Sequence, residues 1–486
     1  MYRSGRVVAP PVPAGLVIRA DPGLRTVDGG RVLIGGAPLR ILRLSDRGAA
    51  LVAGWFDATP VPDVSASREL ARRLVDAGLA HPVVAECDST DVTIVVPVRD
   101  DEAGLERCLA SLGPASQPIP VVVVDDGSVD ADAIAVLARR HGALLVRREV
   151  SGGPGAARMA GLAEVRTGLV AFLDADVEAG SDWLQHLLGH FEDQAVVAVA
   201  PRVRSRPGSS QLRLYEREHS PLDLGSKPSC VGPGRAIAYV PTAALVARRS
   251  CLDAIGGFEE SLRFGEDVDL VWRLVSAGGI VRYDPDVEVV HEPRNSWWAW
   301  ARQRHAYGSS AAPLGRRHGR SVAPARCSLW SIVSWGALAS GHPVIGVGVA
   351  ASSSLVLIDK VADIPDPTRE ALRLAITGHI HAGRGLARAL TRVWWPIVVL
   401  VATFRRGSRS VIAAAMVLPA LLDWLGGRRP TDPLRSVGLR IVDDLAYGVG
   451  VWTGMARENT IAPLVPDLAG RSGSKSDTVA ATVSDR

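Results

Sequence analysis

The chain has 486 residues, 47% hydrophobic and 22% charged, with a formal net charge of +4. That length suits two or three globular domains, and so small a charge gives no argument for a nucleic-acid partner, so none is expected. Five scattered cysteines with no Cys-x-x-Cys pair point to a reducing compartment rather than a disulfide framework or a structural zinc site. Met1 to Pro13 carries arginines with no apolar core after them, so no secretory signal is expected.

Residues 1–20 read as irregular, and residues 21–85 as a small α+β domain. Two short apolar runs flank Gly36-Ala-Pro38, a hairpin pattern. A helix capped by Ser45 follows, and a second spans about Ala66 to Ala77, with Leu70, Leu74 and Val75 on one face and Gly78 as its stop. The unit is either a peptide-recognition module or an accessory packing domain.

From Asp91 the pattern becomes strict strand–helix alternation. Val92–Pro97, Val121–Val124, Ala143–Val146, the strand starting at Leu169 and Val196–Ala200 are apolar runs of strand length. Between them lie helical patterns, such as Leu105, Cys108, Leu109 and Leu112 at i, i+3, i+4 and i+7. Ser181 is expected to cap the helix with Leu184, Leu187, Leu188 and Phe191 on its inner face. Such alternation predicts an α/β fold, a doubly wound sheet with helices on both faces. Ligands bind such sheets at the carboxyl ends of the strands.

Three acidic stations fall near that edge. Asp125-Asp126-Gly127-Ser128 follows the second strand, Asp174-Ala175-Asp176 follows the strand from Leu169, and Gly265-Glu-Asp-Val-Asp-Leu270 opens a helix. Each alone is an ordinary polar turn or helix start. The spacing of Asp174 and Asp176 lets both reach one divalent cation.

In combination they resemble the inverting GT-A glycosyltransferases of family 2. The shared series is Val96-Pro97-Val98, Asp125 to Asp130, Gly153 to Arg158, Asp174 to Asp176, Gly256-Gly-Phe-Glu-Glu260 and Glu266 to Leu270, over about residues 91–310. The resemblance implies a nucleotide sugar held by Pro97, Asp125, Asp126, Arg158 and Asp174. It implies Mg²⁺ or Mn²⁺ on Asp174 and Asp176, with His291 completing the site. Asp267 becomes the general base that takes the acceptor's proton. Two positions depart from the pattern: Ser151 and Met159 stand where asparagines are usual. No Gln-x-x-Arg-Trp motif is present, and Trp300-Ala-Arg-Gln-Arg304 occupies its place. Trp297, Trp298, Trp300 and Tyr307 either stack on sugar faces or, interleaved with Arg302 and Arg304, pack an amphipathic helix.

The remaining chain, 311–468, reads as helical and apolar. Cys327 to Ile358 carries no Asp, Glu, Lys or Arg and is broken at Gly341-His-Pro343, giving two short apolar helices. Trp394–Phe404 and Val411–Trp424 are further apolar stretches. Arginines at 316, 317, 320 and 326, and at 405, 406 and 409, flank them. This pattern suits the cytoplasmic side of the cell membrane. Residues 469–486 are small and polar and read as a disordered tail.

The front domain resembles PqqD-like recognition domains. Its fusion to a family-2 catalytic domain and an apolar tail resembles the glycosyltransferases of the mycofactocin system. That resemblance implies transfer of glucose from UDP-glucose to a hydroxyl of a peptide-derived redox cofactor or its precursor. The rival expectations are a cell-wall or lipid-linked rhamnosyl- or galactosyltransferase, and a nucleotide-sugar-binding protein without turnover.

Overall fold

The structure is a computed structural model and describes residues 9–113, 119–426 and 432–468. It divides into two compact units. The first runs to Gly208 and resumes from His219 to Pro293; the second comprises Ser209–Glu218 and the chain from Arg294 onward.

In the first unit, β1 (Val17–Ala20) pairs antiparallel with β5 (Ala80–Val83). Between them, β2 (Arg25–Val27), β3 (Val32–Gly35) and β4 (Arg40–Arg43) form an antiparallel meander. Next come α1 (Asp46–Phe56) and α2 (Ser65–Asp76). Ser45 caps α1 by accepting from the Gly48 amide at 3.1 Å. The expectation of an irregular stretch to residue 20 is corrected here. Val12 and Ile18 are buried with Trp55, Leu74 and Leu79, so this small core starts before residue 20.

The alternating segment builds a nine-stranded mixed sheet. Its elements are β6 (Val92–Val98), α3 (Glu102–Ser111), β7 (Val121–Asp126), α4 (Ala131–Arg140), β8 (Leu144–Arg148), α5 (Pro154–Glu164), β9 (Leu169–Leu173), β10 (Val177–Glu178), α6 (Trp183–Gly189) and β11 (Val196–Ser205). After α7 (Gln211–His219) come β12 (Ser229–Val231), β13 (Ala244–Arg248), α8 (Arg249–Ala254), α9 (Glu266–Ser276) and β14 (Ile280–His291). The main strand order is β10-β14-β11-β13-β9-β6-β7-β8, with β12 pairing β14 off this path. The α/β class is as expected, but β13 runs antiparallel to both β9 and β11, so the sheet is mixed. Ser181 does not cap α6: the helix starts at Trp183, with Asp182 at the cap position and no side-chain cap bond.

The strands β6, β7 and β9 lie side by side and parallel, so their carboxyl ends share one edge. Their side chains are almost wholly buried, which is why they read as continuous apolar runs. Helix α5 crosses this layer closely. A Cβ on Gly161 would lie 2.3 Å from Val95 Cγ1, so only glycine admits the approach.

The second unit contains α10 (Trp297–Ser309), α11 (Ala311–His318), β15 (Arg326–Cys327), α12 (Leu329–Ala339), α13 (Pro343–Ile358), α14 (Pro367–Arg392), α15 (Trp395–Phe404), α16 (Arg409–Gly426), α17 (Pro433–Glu458) and β16 (Asp467–Leu468). Helices α10 and α17 meet through small residues: Cβ atoms on Gly308 or Gly450 would fall 2.0 Å from the carbonyl oxygens of Tyr447 or His305. Buried Arg304 bonds Glu216 and Asp443, and Trp300 donates to Glu216 at 2.7 Å. These bonds tie α10 to its own unit. The compact boundary therefore falls at Pro293/Arg294 rather than after residue 310.

Helices α12 and α13 match the two short apolar helices expected around Gly341-His-Pro343. The segment Arg406–Gly426 is 21 residues long, apolar enough to cross a membrane, and almost entirely on the surface. The apolar stretch expected from Val411 is thus longer in the structure, because the helix includes the preceding arginine turn. The tail 469–486 and residues 1–8 lie outside the described residues.

Candidate active site

The three acidic stations converge at the carboxyl edge of β7 and β9 and at the start of α9. Strand β7 carries the first. Asp125 is fully buried: Oδ1 accepts from the Ser128 amide at 2.9 Å, and Oδ2 pairs with Arg147. Asp126, 3% exposed, accepts from Ser151 Oγ at 2.8 Å and from the Gly152 and Gly153 amides at 3.1 and 2.9 Å. Arg148 lies 3.3 Å from it. The parallel register sets Asp125 beside Arg147 and Asp126 beside Arg148.

Both aspartates, expected to touch the nucleotide, accept these bonds within the protein, and those of Asp126 fasten the loop after β7 to the loop before α5. Gly127 serves the same junction at φ +77°, where a Cβ would press to 3.0 Å on the Ser151 amide. The Ser151 departure is chemically mild, since its hydroxyl makes the bond to Asp126. The Met159 departure is absorbed by packing: its sulfur accepts from the Phe258 amide at 3.2 Å, inside the Gly256–Glu260 loop.

Asp174 and Asp176 lie in the turn between β9 and β10. Asp174 is 31% exposed and Asp176 19% along their side chains, enough to meet a ligand. The pairing of β10 with β14 puts His291 opposite Val177. His291 Nε2 therefore lies 3.3 Å from Asp176 Oδ2, although 115 positions separate the two in sequence (291 − 176).

Arg158 joins the stations. It is 3% exposed and donates to Asp174 Oδ1 at 2.6 Å and to Glu266 Oε1 at 2.9 Å. Its guanidinium also lies 5.6 Å from the Phe258 ring centroid. Arg158, which the resemblance places near the nucleotide, is held by these two carboxylates.

Asp267 follows Glu266 in the first turn of α9 and is half-buried. Burial, then the charge of Glu266, pushes its carboxyl up to about 7, against the bond Oδ1 accepts from the Val268 amide. Asp269 plays a different part. It is fully buried and pairs with Arg273, which also donates to the carbonyls of Ile255 and Gly257. That network fixes α9 to the Gly256–Glu260 loop. Pro97, at the end of β6, pairs in register with Val124 and is half-buried.

Sequence reasoning missed the roles of Arg147, Arg148 and Glu266. The signal for the arginines was present, as two basic residues closing an apolar strand beside the one that ends in two aspartates. Nothing local pairs Glu266 with Arg158, 108 residues earlier.

The Glycosyl transferase family 2 model matches residues 93–253. The pre-mycofactocin glycosyltransferase of Mycobacterium tuberculosis is 38% identical over 484 residues, covering 94% of this chain and 98% of that protein. The chain belongs to the pre-mycofactocin glycosyltransferase family. It is a family 2 glycosyltransferase of the GT-A fold class. An N-acetylglucosaminyl-diphospho-decaprenol L-rhamnosyltransferase of the same species is 29% identical over 241 residues, 43% of this chain and 78% of that one. Among solved structures, a mannosyltransferase from Pyrobaculum calidifontis in complex with GDP-Man and Mn²⁺ aligns at 19% identity and TM-score 0.40, over 76% of this chain and 89% of its own.

Proposed function

We propose that this glycosyltransferase moves glucose from UDP-glucose to a hydroxyl of the mycofactocin precursor, with inversion at the anomeric carbon. The observation that carries the reading is the Arg158 bridge. It holds Asp174, at the edge suited to a diphosphate, to the helix turn that presents Asp267.

Asp267 is the general base. A carboxyl titrating near 7 is charged in a large fraction of molecules at neutral pH, yet far more basic than an ordinary aspartate. The acceptor oxygen attacks the anomeric carbon from the face opposite the leaving group, and its proton passes to Asp267. The bond from the anomeric carbon to the diphosphate oxygen breaks, and that electron pair leaves with the nucleoside diphosphate. Asp176, Asp174 and His291 are the donors that would hold Mg²⁺ or Mn²⁺. An oxygen-rich set with one imidazole suits such ions, and 3.3 Å between Asp176 Oδ2 and His291 Nε2 fits two ligands of one ion. The bound ion supplies charge neutralisation for the departing diphosphate. Arg158 keeps Asp174 oriented, while Asp125 and Asp126 hold the loops that shape the nucleotide pocket.

The experiment is incubation of the full chain with a panel of UDP-, GDP- and dTDP-sugars, Mg²⁺ or Mn²⁺, and a candidate precursor, read by mass. A hexose added from UDP-glucose alone supports the reading. Rhamnose transfer to a lipid-linked acceptor instead would favour the second reading, which the rhamnosyltransferase similarity over 43% of the chain motivates.

We also propose that the second unit attaches the enzyme to the cytoplasmic face of the cell membrane. Supporting this are the surface-lying apolar helix Arg406–Gly426, exposed Val344, Ile345, Leu400 and Phe404, and the arginines at 405, 406 and 409. Recovery of the full chain in the soluble fraction at low salt without detergent would refute it.

A further inference from the structure

Away from the carboxyl edge, a second set of metal-binding side chains comes together. His186, on α6, and His190, just past its end, are four positions apart and share a helix face. Both imidazoles converge on one oxygen of Asp284 in β14. Nε2 of His186 lies 3.2 Å and Nε2 of His190 2.6 Å from Asp284 Oδ2. The three ligand atoms all fall within 4.8 Å of one another. His190 and Asp284 are 4% and 6% exposed.

We infer that His186, His190 and Asp284 bind a divalent first-row transition metal of the zinc type, which staples α6 to β14.

The geometry fits. A tetrahedral ion with bonds of about 2.0–2.1 Å sets its ligands about 3.3 Å apart. The His186–Asp284 separation already meets this, and the His190–Asp284 separation needs to open by roughly 0.7 Å, a small side-chain adjustment. Two imidazoles and one carboxylate match zinc better than magnesium or calcium, which take oxygen sets. The carboxylate is held in place, because Asp284 Oδ1 accepts from the Asp286 amide at 3.0 Å. His190 lines a cavity of about 210 Å³ between the segment Pro13–Val17, β5 and the end of α6, which gives solvent a way in.

This site is separate from the one at Asp174 and Asp176. Asp284 and His291 both lie on β14, and their partners on β11, Pro201 and Ser205, are four positions apart, roughly 13 Å at strand spacing. The metal therefore has no part in glycosyl transfer. It fixes the far end of the helix that follows the Asp174–Asp176 turn.

The test uses the full-length protein, stripped with chelator, dialysed and titrated with Zn²⁺ or Co²⁺. Metal content is counted by mass spectrometry of the elements, and unfolding is followed with and without Zn²⁺. The wild type and Asp176→Asn should each keep about one tight Zn²⁺ per chain, and Zn²⁺ should raise their Tm by at least about 3 °C. His190→Gln and Asp284→Asn should lose the metal and the Tm response. Half-buried His186→Gln gives the same readout should the other variants fold poorly. Co²⁺ should give the intense visible bands of a tetrahedral site in the wild type alone of these His and Asp284 variants. A wild type with no tight Zn²⁺ and no Tm response, or Zn²⁺ binding unchanged in His186→Gln and His190→Gln, overturns the inference and leaves the cluster a hydrogen-bonded triad.

Discussion

Glu266→Gln tests how the site sets the basicity of Asp267. Glu266 is the second cause, after burial, of the raised Asp267 carboxyl. Neighbouring carboxylates in one helical turn lie on the order of 6 Å apart. At an effective dielectric of about 20, two such charges repel by about 3 kcal/mol. Asp267 is half-buried, so solvent screens roughly half of this. About 1.4 kcal/mol remains, equal to about one pKa unit. The amide also leaves Arg158 with one carboxylate fewer, and its freed positive charge acts in the same direction. The ascending limb of kcat/KM against pH should therefore sit near 7 in the wild type and near about 6 in the variant. Initial rates of UDP release from pH 5 to 9, at one saturating metal concentration, measure both limbs. A variant limb that stays in place, or moves up, refutes the electrostatic coupling of Glu266 to the base.

Two further outcomes follow from the same geometry. Arg158→Met leaves buried Glu266 and part-exposed Asp174 without their shared cation, so the variant should lose about 2–4 kcal/mol of unfolding free energy and nearly all transfer; denaturant titration reads the first and the transfer assay the second, and near-normal stability contradicts the bridge. Asp267→Asn acts through linkage. The native carboxyl titrates near 7 and the unfolded one near 3.8, so the native state holds the extra proton between those values and wild-type stability falls as pH rises through that window. The variant should be more stable than the wild type at pH 8, by roughly 1–4 kcal/mol, and lack this decline; equal pH dependence by thermal unfolding contradicts the burial of that charge.

Much of the fold was legible because the pattern that makes it is local. Strands β6, β7 and β9 are buried on both faces, so they read as unbroken Val, Ile and Leu runs, and α3 shows its inner face at i, i+3, i+4 and i+7. The reversal of β13 was not legible, since an antiparallel strand buried among parallel ones has the same composition. Nor was the membership of α10 in the second unit, which rests on Arg304 and Trp300 meeting Glu216 about 85 residues earlier (300 − 216 = 84, 304 − 216 = 88). In the site, motif order marked acids that the fold gathers at one edge, but not how each is paired. Asp125, Asp126 and Asp269 look like Asp174, Asp176 and Asp267 in sequence. Burial and pairing separate them: the first three are spent on Arg147, Ser151 with its neighbouring amides, and Arg273, while the others keep exposed carboxylate surface. Only three-dimensional register supplies that distinction, as when β10 against β14 sets His291 beside Asp176.

The central claim is that Asp267 removes the acceptor proton while the Asp174 and Asp176 station serves the leaving diphosphate. The most direct measurement compares wild type with Asp267→Asn for transfer from UDP-glucose to the precursor and, separately, for UDP-glucose binding by calorimetry with Mn²⁺ present. The account predicts transfer reduced by at least about 10²-fold, with the dissociation constant for UDP-glucose within about threefold of the wild type. Undiminished transfer by Asp267→Asn would contradict it.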